Sequence, residues 1–283
     1  MRLRLDLAYD GTDFHGWATQ PGLRTVQGLL EKALAQVLRL DAVSVTCAGR
    51  TDTGVHARGQ VVHLDLDPDV FAASAGRGSS TPAEALVRRL NGVLDDDVRV
   101  RGAAEAPDGF DARFSALWRR YAYRIADDAR LVDPLVRNAV LSWSRPLDLD
   151  AMNEAAAALT GEHDFAAFCR RREGATTVRT LLELSWGRDD AGLAVATVRA
   201  DAFCHNMVRS LVGCLLPVGE GRQPVSWSAD VLAAGVRDPG VTVARARGLT
   251  LEQVAYPDDA GPAERARESR RMRTSDDQEP CCG

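Results

Sequence analysis

From Arg2 to Leu7 the chain alternates Arg2, Arg4 and Asp6 with Leu3, Leu5 and Leu7, the two-residue period of a strand with one buried face. Segments of this period recur along the chain, separated by segments of helical period, and that order constrains the fold most. From Val26 the apolar positions Leu29, Leu30, Ala33, Val37 and Leu40 predict a helix, with Thr25 placed to cap it. Val43–Cys47 reads as a strand, and in another Val62, Leu64 and Leu66 alternate with His63, Asp65 and Asp67. Residues 72–81 are small and polar and predict a surface loop. A helix from Pro82 to about Leu94, a strand near Val98–Arg101 and a connector over 104–116 follow.

A comparable order then returns. A strand is predicted at Trp118–Ala126, a helix at Leu149–Leu159, and strands near Val178–Trp186 and Leu193–Val198. A further helix carries Val208, Leu211, Val212 and Leu215. The expected fold is α+β, with two similar halves of β-α-β-β-α-β type, residues 1–107 and 108–257. Each half packs helices on one face of an antiparallel sheet and leaves the other face wet. Residues 258–283 have almost no bulky apolar side chains and alternate charge signs, the composition of a disordered tail.

No run of about 18 apolar residues occurs, and the N-terminus moves straight into the strand pattern. The expectation is a soluble, cytoplasmic protein without membrane contact. Six cysteines, at 47, 169, 204, 214, 281 and 282, show neither C-x-x-C pairs nor histidines at metal-ligand spacing. Free thiols and no structural zinc are expected. The net charge of −5 argues against wholesale nonspecific nucleic-acid binding but leaves room for a local basic groove. Lys32 is the sole lysine, so nearly all cationic charge is arginine, whose planar fork suits phosphate and base edges.

The densest cluster of turn-forming and reactive residues is AGRTDTGVHARG, residues 48–59, between two predicted strands. Composition says only that this is a functional loop. Asp52 could shape a turn and Arg50 a surface ion pair, or the two could do chemistry, and periodicity does not separate these readings. Asp65, Asp67 and Asp69 admit a divalent cation or the wet face and exit of a strand. No P-loop, dinucleotide fingerprint or metal cluster is present.

The extended loop AGRTDTGVHARGQVVHLD resembles the signature loop of the tRNA pseudouridine synthase A family. Four further segments appear in that family's order: YDGTDFHGWATQPGLRTVQGLLEKAL at Tyr9–Leu34, FDARFSALWRRYAYRI at Phe110–Ile125, FCHNMVRSLVG at Phe203–Gly213 and ARGLTLEQVAYP at Ala246–Pro257. The resemblance covers roughly the first 257 residues. It implies a pseudouridine synthase fold with a central RNA-binding cleft, and the open sheet face offers a platform for RNA. It also implies a homodimer acting without a cofactor on uridines 38, 39 and 40 of the tRNA anticodon arm.

By position, the resemblance makes Asp52 the nucleophilic aspartate and Arg50 the arginine that pairs with it and fills the space of the flipped uridine. It places Tyr121 against the target base, Arg209 close to the carboxylate and Leu249 over the uracil ring. Two departures, Ala18 after Gly16-Trp17 and Ala122 within Arg120-Tyr121-Ala122-Tyr123, bear on individual RNA contacts. Tyr121 could otherwise be core, sharing a strand face with Tyr123 and Ile125. Arg24, Arg58, Arg119, Arg120, Arg124 and the run Arg170-Arg171-Arg172 are candidate phosphate contacts or plain solvated charges. His56 and His205 read first as groups that fix loops by hydrogen bonding, with proton transfer as the alternative.

A carboxylate suits the reaction because it can split one difficult step into two through a covalent or ion-pair intermediate at the sugar. Arg50 and Arg209 would favour its ionised form. Attack at C1′, attack at C6 of the ring, and removal of the C2′ proton to give a glycal all stay open, with the glycal route favoured. Two rivals stand beside this reading. One is a noncatalytic RNA-binding module, and the other a metal-dependent phosphodiesterase built on Asp52, Asp65 and Asp67.

Overall fold

The leucine alternation of residues 2–8 is realised in strand β1 (Arg2–Tyr9), where Leu3, Leu5 and Leu7 are wholly buried and Arg2, Arg4 and Asp6 are partly exposed. The computed structural model describes residues 1–75, 80–170, 176–258 and 261–274. After β1 come α1 (Val26–Leu38), β2 (Thr46–Cys47), β3 (His56–Asp65), α2 (Pro68–Ala73), α3 (Pro82–Asn91) and β4 (Val98–Glu105). The rest of the chain supplies β5 (Trp118–Ala126), β6 (Leu141–Ser142), α4 (Leu149–Ala157), β7 (Gly161–Asp164), β8 (Val178–Arg188) and β9 (Ala194–Ala200). It ends with α5 (Met207–Gly219), α6 (Trp227–Ala234), β10 (Leu249–Ala255) and α7 (Pro262–Thr274).

The fold is mixed α+β. Among the described residues, the strands form one sheet rather than the two expected, in the order β4-β1-β3-β10-β5-β9-β8-β7, with β2 added to β3 and β6 to β5. The joint is β10. It pairs parallel to β3, Thr250 opposite His56, and antiparallel to β5, from Leu249 opposite Tyr123 to Ala255 opposite Trp118. Without it the facing edges of β3 and β5 would leave backbone donors and acceptors unpaired. The insertion makes one continuous core of both parts of the chain. It also sets the start of β3, and hence the loop before it, close to β5.

Local sequence explains most element ends. Thr25 Oγ1 accepts from Gly28 N at 3.3 Å at the start of α1. Thr81 and Glu84 form a reciprocal capping box on α3. The expected surface loop over 72–81 is shorter than its composition suggests: Asp67 caps α2, Pro68 fits its first turn, and Ala72 and Ala73 are helical. Residues 76–79 of that loop lie outside the described residues.

Two further expectations are corrected. The tail predicted to be disordered from 258 onward contains α7, in which Ala266 is buried and Ser115 Oγ donates to Pro262 O at 2.7 Å. Small alanines let the helix approach the body of the protein closely, a device that counting bulky apolar residues misses. The end of the tail, from 275 and including Cys281 and Cys282, lies outside the described residues. The expectation of free thiols holds for Cys47 and Cys214, which are buried, but Cys169 and Cys204 are disulfide-bonded, with Cα atoms 5.7 Å apart. Their separation of 35 residues carries no spacing signal. Among the described residues, no helix is long and apolar enough to cross a membrane.

Candidate active site

The loop between β2 and β3 is held in place from beneath by its neighbours. Trp17 N donates to Thr51 O at 3.0 Å, Gly54 N to Phe14 O at 3.3 Å, and Val55 N closes a turn on Asp52 O at 3.1 Å. Gly16 sits at φ +87°, and a Cβ there would lie 3.0 Å from Thr51 O. Gly11 is closer still: a Cβ there would come within 2.0 Å of Val55 O. Glycine is therefore the residue that lets the GTDFHGW segment lie against the loop. The buried Tyr9 hydroxyl and Thr51 Oγ1 are 2.7 Å apart, and Gln60 Nε2 donates to Tyr9 at 3.2 Å and to Gly49 O at 2.8 Å.

His56 also ties the loop down, as the sequence suggests. Gly11 N donates to its Nδ1 at 3.0 Å, and its Nε2 lies 3.1 Å from Arg247 O. In the neutral ring the proton is thus on Nε2. Asp10 Oδ1, also 3.0 Å from Nδ1, attracts the ring only when both nitrogens are protonated.

The loop forms one wall of a cleft of about 460 Å³, within the usual size of a small-molecule site. Arg50, Asp52, Tyr121, Arg209 and Leu249 all line it. Tyr121 comes from β5 and Leu249 from the first position of β10, while Arg209 lies in the first turn of α5. Tyr121 is buried and meets the edge of Phe203, with ring centroids 5.2 Å apart at 89°. Burial, and then the nearby Asp52 charge, push its phenol pKa up, so the hydroxyl stays protonated at neutral pH. Burial likewise pushes the Cys47 thiol in the cleft up to about 12.

Around Asp52 the partners differ from those expected. Its side chain is about one third exposed, and the basic side chain within reach of it is His205, with Nε2 3.4 Å from Oδ1. Arg209 is engaged elsewhere. Its Nε donates to Ala244 O at 2.6 Å, and Arg209 O accepts from Ala244 N at 3.0 Å. Arg50 is exposed, and no ion pair joins it to Asp52 among the described residues.

Of the candidate phosphate contacts, Arg24 and Arg58 lie outside the cleft lining. Arg24 pairs with Asp95 and Asp97 at 2.7 and 2.8 Å and stacks on Phe14, 4.0 Å from its centroid. Arg58 on β3 and Arg124 on β5 share Glu252 of the intervening β10, at 3.0 and 2.7 Å. Arg120 donates to Gln253 Oε1 at 3.3 Å. Arg171 and Arg172 lie outside the described residues.

Arg119 has a role the sequence did not separate from phosphate binding. It is buried and donates to Asp201 O, Arg113 O and Ala48 O at 2.6, 2.6 and 2.9 Å. It thus fastens the chain just before Gly49 and Arg50. The cation trio of the phosphodiesterase reading does not converge, since Asp65 is held by Arg2 at 2.8 Å and Asp67 caps α2. Among the described residues, no three His, Cys, Asp or Glu side chains are grouped to hold a metal.

Comparisons with known proteins show the family. The profile of the family described as tRNA pseudouridine synthase matches residues 7–115 and 155–257, spans that contain Arg50, Asp52, Arg209 and Leu249 but not β5 with Tyr121. The tRNA pseudouridine synthase A of Streptomyces griseus is 61% identical over 276 residues, covering 97% of this chain and 94% of that protein. Its counterpart in Frankia casuarinae is 62% identical over 273 residues, covering 96% of each chain. That of Mycobacterium leprae is 49% identical over 278 residues, covering 97% and 96%. With the profile spanning most of the chain and identity this high over nearly full length, the chain belongs to the tRNA pseudouridine synthase family.

Proposed function

We propose that this protein isomerises uridine to pseudouridine at positions 38, 39 and 40 of the tRNA anticodon stem-loop, with Asp52 as the catalytic carboxylate. The observation that carries the reading is the convergence of Asp52, Tyr121, Arg209 and Leu249, from four separate segments of the chain, on one cleft. The reaction breaks the C1′–N1 bond, turns the uracil while it is held, and joins C5 to C1′. A proton leaves C5 and N1 gains one, so nothing is consumed. An ionised aspartate serves as nucleophile at the sugar or as base at C2′.

The target base is stacked in its stem or loop and must be extruded, at about a few kcal/mol. Arg50, exposed at the rim, is placed to fill the vacated space. Tyr121, kept neutral and braced by Phe203, stacks on the extruded ring, and Leu249 closes over it. Arg209 adds positive charge to the cleft lining. Arg24 and Arg58 are assigned to the tRNA backbone outside the cleft, where phosphates would compete with Asp95, Asp97 and Glu252 for them. The residue 1–107 and 108–257 segments act as one RNA-binding unit in a cytoplasmic homodimer.

The test incubates the purified protein with an unmodified tRNA transcript and maps pseudouridine by carbodiimide adduct and primer extension. Stops confined to positions 38–40 are expected. Tight binding without isomerisation would instead favour a noncatalytic RNA-binding module, and stops confined to other positions would refute the site assignment.

A further inference from the structure

His205 sits in the FCHN turn that leads into α5, fixed on both sides: Cys204 is bonded to Cys169, and His205 O accepts from Arg170 N at 3.0 Å. Its ring lines the cleft, with Nε2 3.4 Å from Asp52 Oδ1. The other ring nitrogen, Nδ1, is buried with no hydrogen-bond partner. A proton on Nδ1 would therefore be desolvated without an acceptor, whereas a bare Nδ1 forgoes less. Of the two ring nitrogens, Nε2 is therefore the one whose proton meets an acceptor, the Asp52 carboxylate.

The two arginines expected to serve Asp52 do not take this place, because Arg209 donates to the Ala244 carbonyl and, among the described residues, no ion pair joins Arg50 to Asp52. We infer that His205 is a positioning residue: its Nε2–H holds Oδ1 of Asp52 and leaves Oδ2 to meet the sugar. The inference rests on the reading of Asp52 as the reacting carboxylate. At 3.4 Å the contact is longer than a formed N–H···O bond, and such bonds commonly tighten when substrate closes a site. A carboxylate free to rotate would spend most of its time out of line for reaction, so the loss falls on the chemical step and not on tRNA binding.

The test compares His205→Phe, His205→Gln and His205→Asn with the wild type, and Asp52→Asn in parallel. The readouts are the single-turnover rate at saturating enzyme, the tRNA Kd by filter binding and the melting temperature. His205→Phe is expected to lose roughly tenfold to a hundredfold in rate, with Kd within about threefold. Glutamine, whose amide nitrogen reaches the position of Nε2, restores most of the rate. Asparagine, whose nitrogen stops at the position of Nδ1, does not. If His205→Phe fails to fold, the glutamine and asparagine variants decide the matter.

A His205→Phe rate near wild type, equal rates for glutamine and asparagine, or a loss confined to Kd overturns the inference. An Asp52→Asn enzyme with full activity overturns both this inference and the reading beneath it. An inactive Asp52→Asn beside a fully active His205→Phe overturns this one alone.

Discussion

Gly11→Ala perturbs the loop that carries Asp52 without touching any residue assigned to the chemistry. The added Cβ would lie 2.0 Å from Val55 O and 2.5 Å from Val55 C. Ordinary contact begins near 3.4 Å, so the two backbones must part by about 1.4 Å, the difference between the two distances. Both atoms are backbone, and no side-chain rotation relieves the clash. Val55 is hydrogen-bonded to Asp52 O at 3.1 Å, so the displacement carries Asp52 with it. A misplacement of about 1 Å costs on the order of 10²-fold in rate, or about 2.7 kcal/mol in barrier height. The overpacking itself destabilises the fold by about 1–3 kcal/mol, less than the usual stability of a domain. Single-turnover pseudouridine formation, read by carbodiimide and primer extension, measures the first effect, and thermal melting the second. A Gly11→Ala enzyme that melts cooperatively and reacts within about threefold of wild type would refute the claim that this backbone contact sets the position of Asp52.

Arg119→Met removes the buried cation from three carbonyls and should destabilise the protein by about 3–5 kcal/mol in urea unfolding, since the carbonyls lose their donors; a loss below about 1 kcal/mol would contradict its anchoring role. The Asp127 carboxylate is held below its ordinary 3.8 by hydrogen bonds from Arg188, with Arg188 Nη2 2.7 Å from Oδ2, and from Leu147 N. Because the folded-state pKa is the lower one, the stability it contributes is complete above the unfolded value and is lost as pH falls through the folded value. Asp127→Asn should flatten the fall of melting temperature below about pH 4, and an unchanged acid limb would count against the pair. Isomerisation should persist in excess EDTA, and its abolition by chelation with recovery on adding a divalent cation would revive the metal-dependent reading.

Elements with a strong local signal could be read from sequence. β5 spans Trp118–Ala126 as its pattern indicates, and Thr25 caps α1 because a hydroxyl before a helical period satisfies a free N–H. The position of β10 could not be read this way. Its pairing with β3 is a parallel contact of two residue pairs between strands nearly two hundred positions apart, and neither partner's periodicity names the other. This explains why two sheets were expected where one exists. Charge pairing was equally hidden: Arg24 and Arg58 look like free cations in sequence, yet Asp95, Asp97 and Glu252 reach them only through the fold. His205 stood inside a matched segment as a loop-fixing group, and its contact with Asp52 appears only when α5 is laid against the β2–β3 loop.

If Asp52 performs the isomerisation, Asp52→Ala removes the carboxylate on which the reaction depends. Assayed on an unmodified tRNA transcript, with tRNA binding measured in the same preparation, the variant should form no detectable pseudouridine while its Kd stays within about threefold of wild type. Pseudouridine formation by Asp52→Ala at the wild-type rate would contradict the account.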